Sequence, residues 1–369
     1  MKKIFNNTYQ NKKVLVTGNT GFKGAWLTAW LLKLNAKVYG ISNDIPTKPS
    51  MFEELKIIKR IKHFNCDIRE LTKVKKIIEN TRPDYIFHLA AQPLVSISYK
   101  DPFDTFSTNV LGTASILEAV RLLNHKCTLI LITSDKCYDN VEWSWGYRET
   151  DTLGGKDIYS GSKGAAELVF KSYFHSFFSK SDSKINCVSV RAGNVIGGGD
   201  WAEDRIVPDC MRSWSESKPV IIRNPYATRP WQHVLEPLSG YLRLGQILNQ
   251  NKEVNGESYN FGPPANQNIN VKTILTDLSK NWGFVDGFEA YKIINKTKFH
   301  EAGLLKLNCD KALAHLGWVA TLDYDQLINF TTSWYYKFYK QTEDMYEYTL
   351  EQINEYQKLA AMQSSEWIT

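Results

Sequence analysis

The chain has 369 residues, of which 43% are hydrophobic and 23% charged, a balance that excludes a disordered protein and allows a large domain with a smaller one attached. Its 45 basic and 39 acidic residues leave a formal charge of +6, spread along the sequence rather than gathered into a stripe, so nucleic acid is not expected as a partner. No apolar run reaches the length of a bilayer span, and Met1-Lys2-Lys3 leads into Asn6, Asn7, Gln10 and Asn11 instead of the apolar core of a signal peptide, so neither a membrane anchor nor secretion is expected.

From Lys13 onward, short runs of Val, Ile and Leu alternate with longer amphipathic stretches. Strands are predicted at 14–17, 37–42, 63–67, 85–90, 128–134 and 186–191, and helices at 23–34, 71–80, 105–123 and 160–178. This βαβα order predicts an α/β chain with a Rossmann-type doubly wound parallel sheet. Residues 1–191 would form it, with a return segment near 233–262. Past Ala192 glycines and prolines multiply, so 192–232 and 263–369 are expected to form a smaller C-terminal substrate-binding domain over the sheet's carboxyl edge. Residues 324–363 read as helical, with Trp334, Tyr335, Tyr336, Phe338 and Tyr339 as a packed face. The six cysteines show no C-x-x-C pair and no metal-ligand spacing with the histidines. Buried free thiols in a reducing compartment, the cytoplasm, are therefore expected.

The first strand runs into Thr17-Gly18-Asn19-Thr20-Gly21-Phe22-Lys23-Gly24 and then a helix. Glycines spaced in this way permit a tight turn, and backbone N–H groups at a helix start attract a pyrophosphate. Gly18, Thr20, Gly21, Phe22, Lys23 and Gly24 are thus candidate dinucleotide contacts. Asp44, near the end of the second strand, is placed for an adenosine ribose, and its carboxylate would repel the 2′-phosphate of NADP, which favours NAD. Asp67 ends the third strand and Ile68 follows it, where an adenine would lie. The small residues of Leu89-Ala90-Ala91 let a dinucleotide pass close to the backbone.

Tyr159 and Lys163 stand four residues apart at a helix start, hence on one face. A cation about 4 Å from a phenol, at an effective dielectric of about 20, contributes on the order of 4 kcal/mol, or about three pH units. That would bring a phenol of ordinary value near 10 into the range of a base at neutral pH. Thr133-Ser134, at a strand end, supplies a hydroxyl to orient it.

Together, the 17–24 loop, the Tyr159/Lys163 pair, Asn109-Val110-Leu111-Gly112-Thr113 and Arg191-Ala192-Gly193-Asn194-Val195 resemble the extended short-chain dehydrogenase/reductase family of nucleotide-sugar epimerases and dehydratases. His88-Leu89-Ala90-Ala91-Gln92-Pro93-Leu94-Val95, Ser134-Asp135-Lys136-Cys137-Tyr138-Asp139-Asn140, Gly197-Gly198-Gly199-Asp200-Trp201 and Arg229-Pro230-Trp231-Gln232-His233-Val234 resemble its 4,6-dehydratase branch for a CDP-activated hexose. The resemblance covers about residues 13–318. It implies bound NAD, adds Gln92 and Asn109 to the cofactor residues, and assigns Tyr159, Lys163, Ser134, Asp135 and Lys136 to catalysis.

In the implied scheme Tyr159 starts a transient C4 oxidation, water leaves across C5–C6, and the hydride returns to C6. Lys136 stands where related dehydratases carry glutamate, so either Lys136 or Asp135 would serve C5, with a protonated Asp135 as the acid. Asn194, Arg205, Arg223, Arg229 and His300 are the implied substrate contacts. A homodimer through a four-helix bundle of 105–123 and 160–178 is implied as well. Two alternatives remain: a dehydratase or C4 epimerase acting on another nucleotide sugar, and a non-catalytic dinucleotide-binding protein.

Overall fold

The Val- and Ile-rich runs pair side by side in a computed structural model that describes residues 3–284, 287–294 and 304–369. In chain order the strands are β1 (Lys13–Thr17), β2 (Lys37–Ser42), β3 (Lys62–Asn65), β4 (Tyr85–His88), β5 (Cys127–Ile132), β6 (Ile185–Ala192), β7 (Val195–Ile196), β8 (Val220–Ile222), β9 (Thr228–Arg229), β10 (Gln232–His233), β11 (Ser258–Phe261), β12 (Ile269–Asn270) and β13 (Tyr291–Ile293). Seven of them form one sheet in the order β11-β6-β5-β4-β1-β2-β3. Every neighbouring pair in it is parallel. Chain order reverses between β1 and β4, which is where open sheets of this type leave a crevice at their carboxyl edge. Three predicted strands end two residues early: 66–67, 89–90 and 133–134 lie past the ladder, at that edge.

The helices are α1 (Phe22–Lys33), α2 (Met51–Glu54), α3 (Leu71–Thr81), α4 (Val95–Lys100), α5 (Pro102–Phe106), α6 (Gly112–Arg121), α7 (Ile158–Tyr173), α8 (Ile206–Ser215), α9 (Leu235–Ile247), α10 (Val271–Lys280), α11 (Asp310–Leu316), α12 (Tyr324–Lys340) and α13 (Met345–Met362). Both long helices expected around the catalytic segment are interrupted. A π turn, Ser107–Leu111, separates α5 from α6, and another, Phe174–Phe178, continues α7.

Period-two alternation sends strand side chains to two cores. Leu15, Ile86 and Leu129 bury against Val74 and Ile78 of α3, Ile116 and Val120 of α6 and Phe170 of α7. Val14, Val16, Phe87 and Ile130 face Trp26 and Trp30 of α1 and Leu238, Tyr241 and Leu242 of α9. The segment read as a return, near 233–262, contributes α9 and β11 to this layer.

The aromatic tail packs in part: Trp334 and Tyr335 are fully buried, Phe338 and Tyr339 half-buried, and Tyr336 exposed. Behind α1 the two ends of the chain meet. Phe5 N donates to Trp367 O at 2.7 Å, and the Phe5 ring stacks on Trp367 at 4.9 Å. Trp30 meets Tyr356 edge-on at 5.7 Å. All six cysteines are free, five of them buried. Among the described residues no helix is long and apolar enough to cross a membrane.

Candidate active site

The turn between β1 and α1 is shaped by its glycines in two different ways. Gly18 has φ +72°, and a Cβ on it would stand 2.8 Å from Ala90 N; one on Gly24 would stand 2.1 Å from Gly18 O. Both are required by the fold. Gly21 is different, because a Cβ there would meet nothing closer than Gly18 O at 3.4 Å. Protein packing therefore leaves this position room for a side chain, and its bareness suits the close approach of a ligand to the first turn of α1. Thr20 Oγ1 donates to Asp44 O at 2.7 Å, which ties the end of β2 to the turn and leaves the Asp44 carboxylate exposed.

Beneath the turn, a buried polar chain has a single consistent direction. Ala90 N donates to Thr17 Oγ1 at 3.1 Å, and Thr113 Oγ1 donates to Asn109 O at 2.7 Å. His88 lies between the two threonines, its Nδ1 2.7 Å from Thr17 Oγ1 and its Nε2 3.2 Å from Thr113 Oγ1. The Thr113 proton is committed to Asn109, so His88 carries its proton on Nε2 and accepts from Thr17 at Nδ1. Burial, with Lys163 adding to it, pushes His88 down to about 3, which keeps it neutral.

The Asn109 side chain accepts from Gln92 N at 2.8 Å and donates to Ser162 Oγ at 2.9 Å, joining the segment after β4 to α7. The Asp67 carboxylate is taken up by Arg69, with Nη2 to Oδ2 at 2.6 Å. Ile68 packs on Gly112, where a Cβ would stand 2.4 Å from its Cδ1. This leaves only the main chain of Ile68 for a ligand.

Asp157 caps α7 by accepting from Ser160 N at 3.0 Å, and this sets Tyr159 and Lys163 one turn apart. Lys163 Nζ lies 5.9 Å from the centre of the Tyr159 ring. Burial pushes the Tyr159 phenol up to about 12 despite a hydrogen bond with Ser134, and Asp135 adds to the rise. Burial also brings Lys163 down to about 8, opposed by Cys137 and Glu167. The expected three-unit descent of the phenol on account of Lys163 is thereby corrected. Desolvation outweighs the protein's own cations and leaves the phenol protonated near neutral pH.

Asp135 is buried beside them. Its Oδ1 accepts from Ser134 Oγ at 2.9 Å, whereas Oδ2 has no hydrogen-bond partner among the described residues. Lys136 is half-buried, and its main-chain N donates to Ser134 Oγ at 3.2 Å.

Two further cations converge here that the sequence placed in separate roles. Lys23, in the first turn of α1, is brought down to about 8 by burial and by Arg205, with Asp135 and Asp200 pulling upward. Arg205 pairs with Asp200 at 2.8 Å, and its charge also reaches Tyr159.

Glu167 continues the Tyr159–Lys163 face and was not singled out in the sequence. It forms an ion pair with Arg191 at 2.9 Å, both side chains being fully buried. It also accepts from Thr133, next to Ser134, and from Ser189 at 2.8 Å. Arg191 Nη1 donates to Tyr138 OH at 2.7 Å. The network locks α7 to the ends of β5 and β6. Its only sequence signal is a polar pair in otherwise apolar surroundings.

The remaining substrate candidates are more scattered. Asn194 has a left-handed backbone, φ 49°. Arg229, on β9, donates from Nη1 to Thr228 O at 2.9 Å. Arg223 is exposed after β8 and is not joined to the centre by any described contact. His300 lies outside the described residues.

The sheet order, the glycine turn opening α1 and the Tyr159–Lys163 pair beside Ser134 define a short-chain dehydrogenase/reductase of the extended type. The chain belongs to the GDP-mannose 4,6 dehydratase family, whose model matches residues 15–331. It is 44% identical, over 96% of its length and 98% of the other's, to a Salmonella typhimurium protein named CDP-glucose 4,6-dehydratase. Two solved structures share the fold. UDP-glucuronic acid 4-epimerase from Bacillus cereus, in complex with UDP-glucuronic acid and NAD, superposes with TM-score 0.75 at 24% identity, covering 90% of this chain and 100% of that one. For dTDP-glucose 4,6-dehydratase from Bacillus anthracis, in complex with NAD, the values are 0.73 and 20%, covering 88% and 97%.

Proposed function

We propose that this chain is an NAD-dependent hydro-lyase that converts CDP-glucose to CDP-4-keto-6-deoxyglucose, a step toward the deoxysugars of surface polysaccharides. The observation that carries the reading is Asp135, a buried carboxyl with one unpartnered oxygen, directly after the serine that touches the phenol. A C4 epimerase has no use for an acid at C6. The identity to a protein of this name along almost the whole chain supports the same substrate.

The residues around the glycine turn fit NAD: Gly21 leaves room for its diphosphate and Asp44 meets its adenosine ribose. When bound, NAD supplies the oxidant for C4 and the hydride that later reduces C6. Tyr159 takes the C4 hydroxyl proton, Ser134 orients both hydroxyls, and Lys163 favours the phenolate that results. The phenol is held high by burial, so it loses its proton only when further positive charge is brought against it. Lys136 serves C5, as a neutral base or as a fixed cation beside the enolate. Asp135, protonated, gives its proton to the departing C6 hydroxyl. Asn194, Arg205 and Arg229 hold the diphosphate of the sugar nucleotide.

The protein acts in the cytoplasm, in keeping with its free, mostly buried thiols. It pairs with a second copy through the faces of α5, α6 and α7 that leave Phe103 82% and Leu168 56% exposed.

The test is CDP-glucose deuterated at C4, turned over in light water and, separately, unlabelled sugar in heavy water. Deuterium reappearing at C6 of the same molecule, with solvent hydrogen entering C5, is expected. An unlabelled C5 after turnover would establish an epimerase instead. Tyr159→Phe should abolish both exchanges.

A further inference from the structure

The run from Arg229 to Val234 holds a glutamine that the substrate reading leaves unused. Gln232 is buried on β10, which lies parallel to β7. Its Nε2 donates to Gly193 O at 3.0 Å and to Phe261 O at 2.9 Å. Its main-chain N donates to Asn194 O at 3.2 Å. These partners fix the orientation of the carboxamide, since its oxygen, if exchanged with the nitrogen, would face two carbonyl oxygens. One residue thus holds two successive carbonyls where the chain leaves β6, and a third at the end of β11.

That turn is the wall behind Asp135. A Cβ on Gly193 would stand 1.9 Å from Asp135 Oδ2, so the carboxyl and the Gly193 backbone are in direct contact. Asn194, the next residue, turns the chain with a left-handed backbone, which asparagine adopts more readily than other non-glycine residues. So close a contact depends on where the Gly193 backbone is held, and Gln232 holds it.

The geometry points to Gln232 as a positioning residue for the elimination step: by holding Gly193 it fixes the wall that aims the Asp135 carboxyl at the C6 oxygen. The inference rests on the reading of Asp135 as the acid. In that step the C5–H bond breaks toward the base, the C5=C6 bond forms and the C6–O bond breaks. The Asp135 proton leaves with the hydroxyl as water, and the carboxyl is left ionised. Oxidation at C4 depends on Tyr159 and Ser134, which Gln232 does not touch.

Gln232→Leu, Gly193→Ala and Asp135→Asn, each loaded with NAD, are mixed with CDP-glucose. Nicotinamide absorbance reports oxidation at C4, and product analysis reports elimination. In Gln232→Leu oxidation should keep the parent's rate while product formation falls about 100-fold, the loss expected of a misplacement of about 1 Å. Reduced nicotinamide therefore accumulates. Product at the parent's rate, or an equal loss of both steps, overturns the proposal. Should Gln232→Leu fail to fold, Gly193→Ala decides, because it disturbs Asp135 from the same wall; elimination at the parent's rate in that variant also overturns it. Asp135→Asn separates the two claims. If it dehydrates normally, the reading of Asp135 as acid fails; if it stalls after oxidation while Gln232→Leu does not, only the positioning role fails.

Discussion

Replacing Glu167 by Gln removes one charge from an ion pair with no solvent contact. The partner atoms are 2.9 Å apart and both side chains are 0% exposed. At an effective dielectric of about 20 such charges attract by about 6 kcal/mol, most of which offsets the dehydration of the two ions. Burial alone would push the Glu167 carboxyl up, but Arg191 and the hydroxyls of Thr133 and Ser189 hold it below its ordinary value. Taking away the carboxylate leaves Arg191 buried and uncompensated, at a cost of about 3–5 kcal/mol. That is about a fifth or more of a typical unfolding free energy of about 5–15 kcal/mol.

Urea unfolding of parent and variant measures the loss. In a cycle with Arg191→Leu, the double variant Glu167→Leu/Arg191→Leu should recover part of what Glu167→Leu loses. A Glu167→Gln protein within about 1 kcal/mol of the parent would refute the argument. Glu167 also raises Lys163, so the alkaline limb of the turnover profile should move to lower pH in the variant.

Gly21→Ala should weaken NAD binding about tenfold or more without moving the melting temperature, because its Cβ meets no close protein atom; calorimetric titration showing unaltered affinity would count against the cradle. Burial pushes the Glu236 carboxyl up to about 7 from an ordinary 4.5, even though Leu322 N, Thr321 N and Tyr356 OH all donate to it. Folding therefore favours its protonated form, and that contribution is complete below 4.5 and lost as pH rises through about 7. Glu236→Gln should flatten the stability profile across this window, and an unchanged slope in denaturant melts would contradict the assignment. Phe103→Asp should yield a monomer by analytical ultracentrifugation, whereas a dimer of unchanged affinity would place the subunit contact elsewhere.

The sheet was legible in the sequence because each strand alternates between two apolar cores, as Val14, Leu15 and Val16 do. Strand ends were less so: Ala90 and Ser134 are of residue types that the ladder also contains, yet they lie past it at the cleft. The π turns at Ser107–Leu111 and Phe174–Phe178 left no trace, since a register change of one residue keeps a helical pattern intact. The shared face of Tyr159 and Lys163 on α7 could be read from their spacing. The electrostatic balance between them could not, because burial, which decides it, is a property of the assembled fold. Glu167 and Arg191 meet only once α7 packs on β6, and Gln232 reaches Gly193 only through the pairing of β10 with β7.

The aromatic stack behind α1 makes the rear of the molecule answerable for its front. A protease nick near Trp367, or a bulky tag crowding Phe5, should loosen α1, whose leading turn is the proposed seat of the dinucleotide. Such damage should show first as shed cofactor, before any loss of secondary structure, which makes NAD occupancy the sensitive gauge of how well a preparation has survived handling.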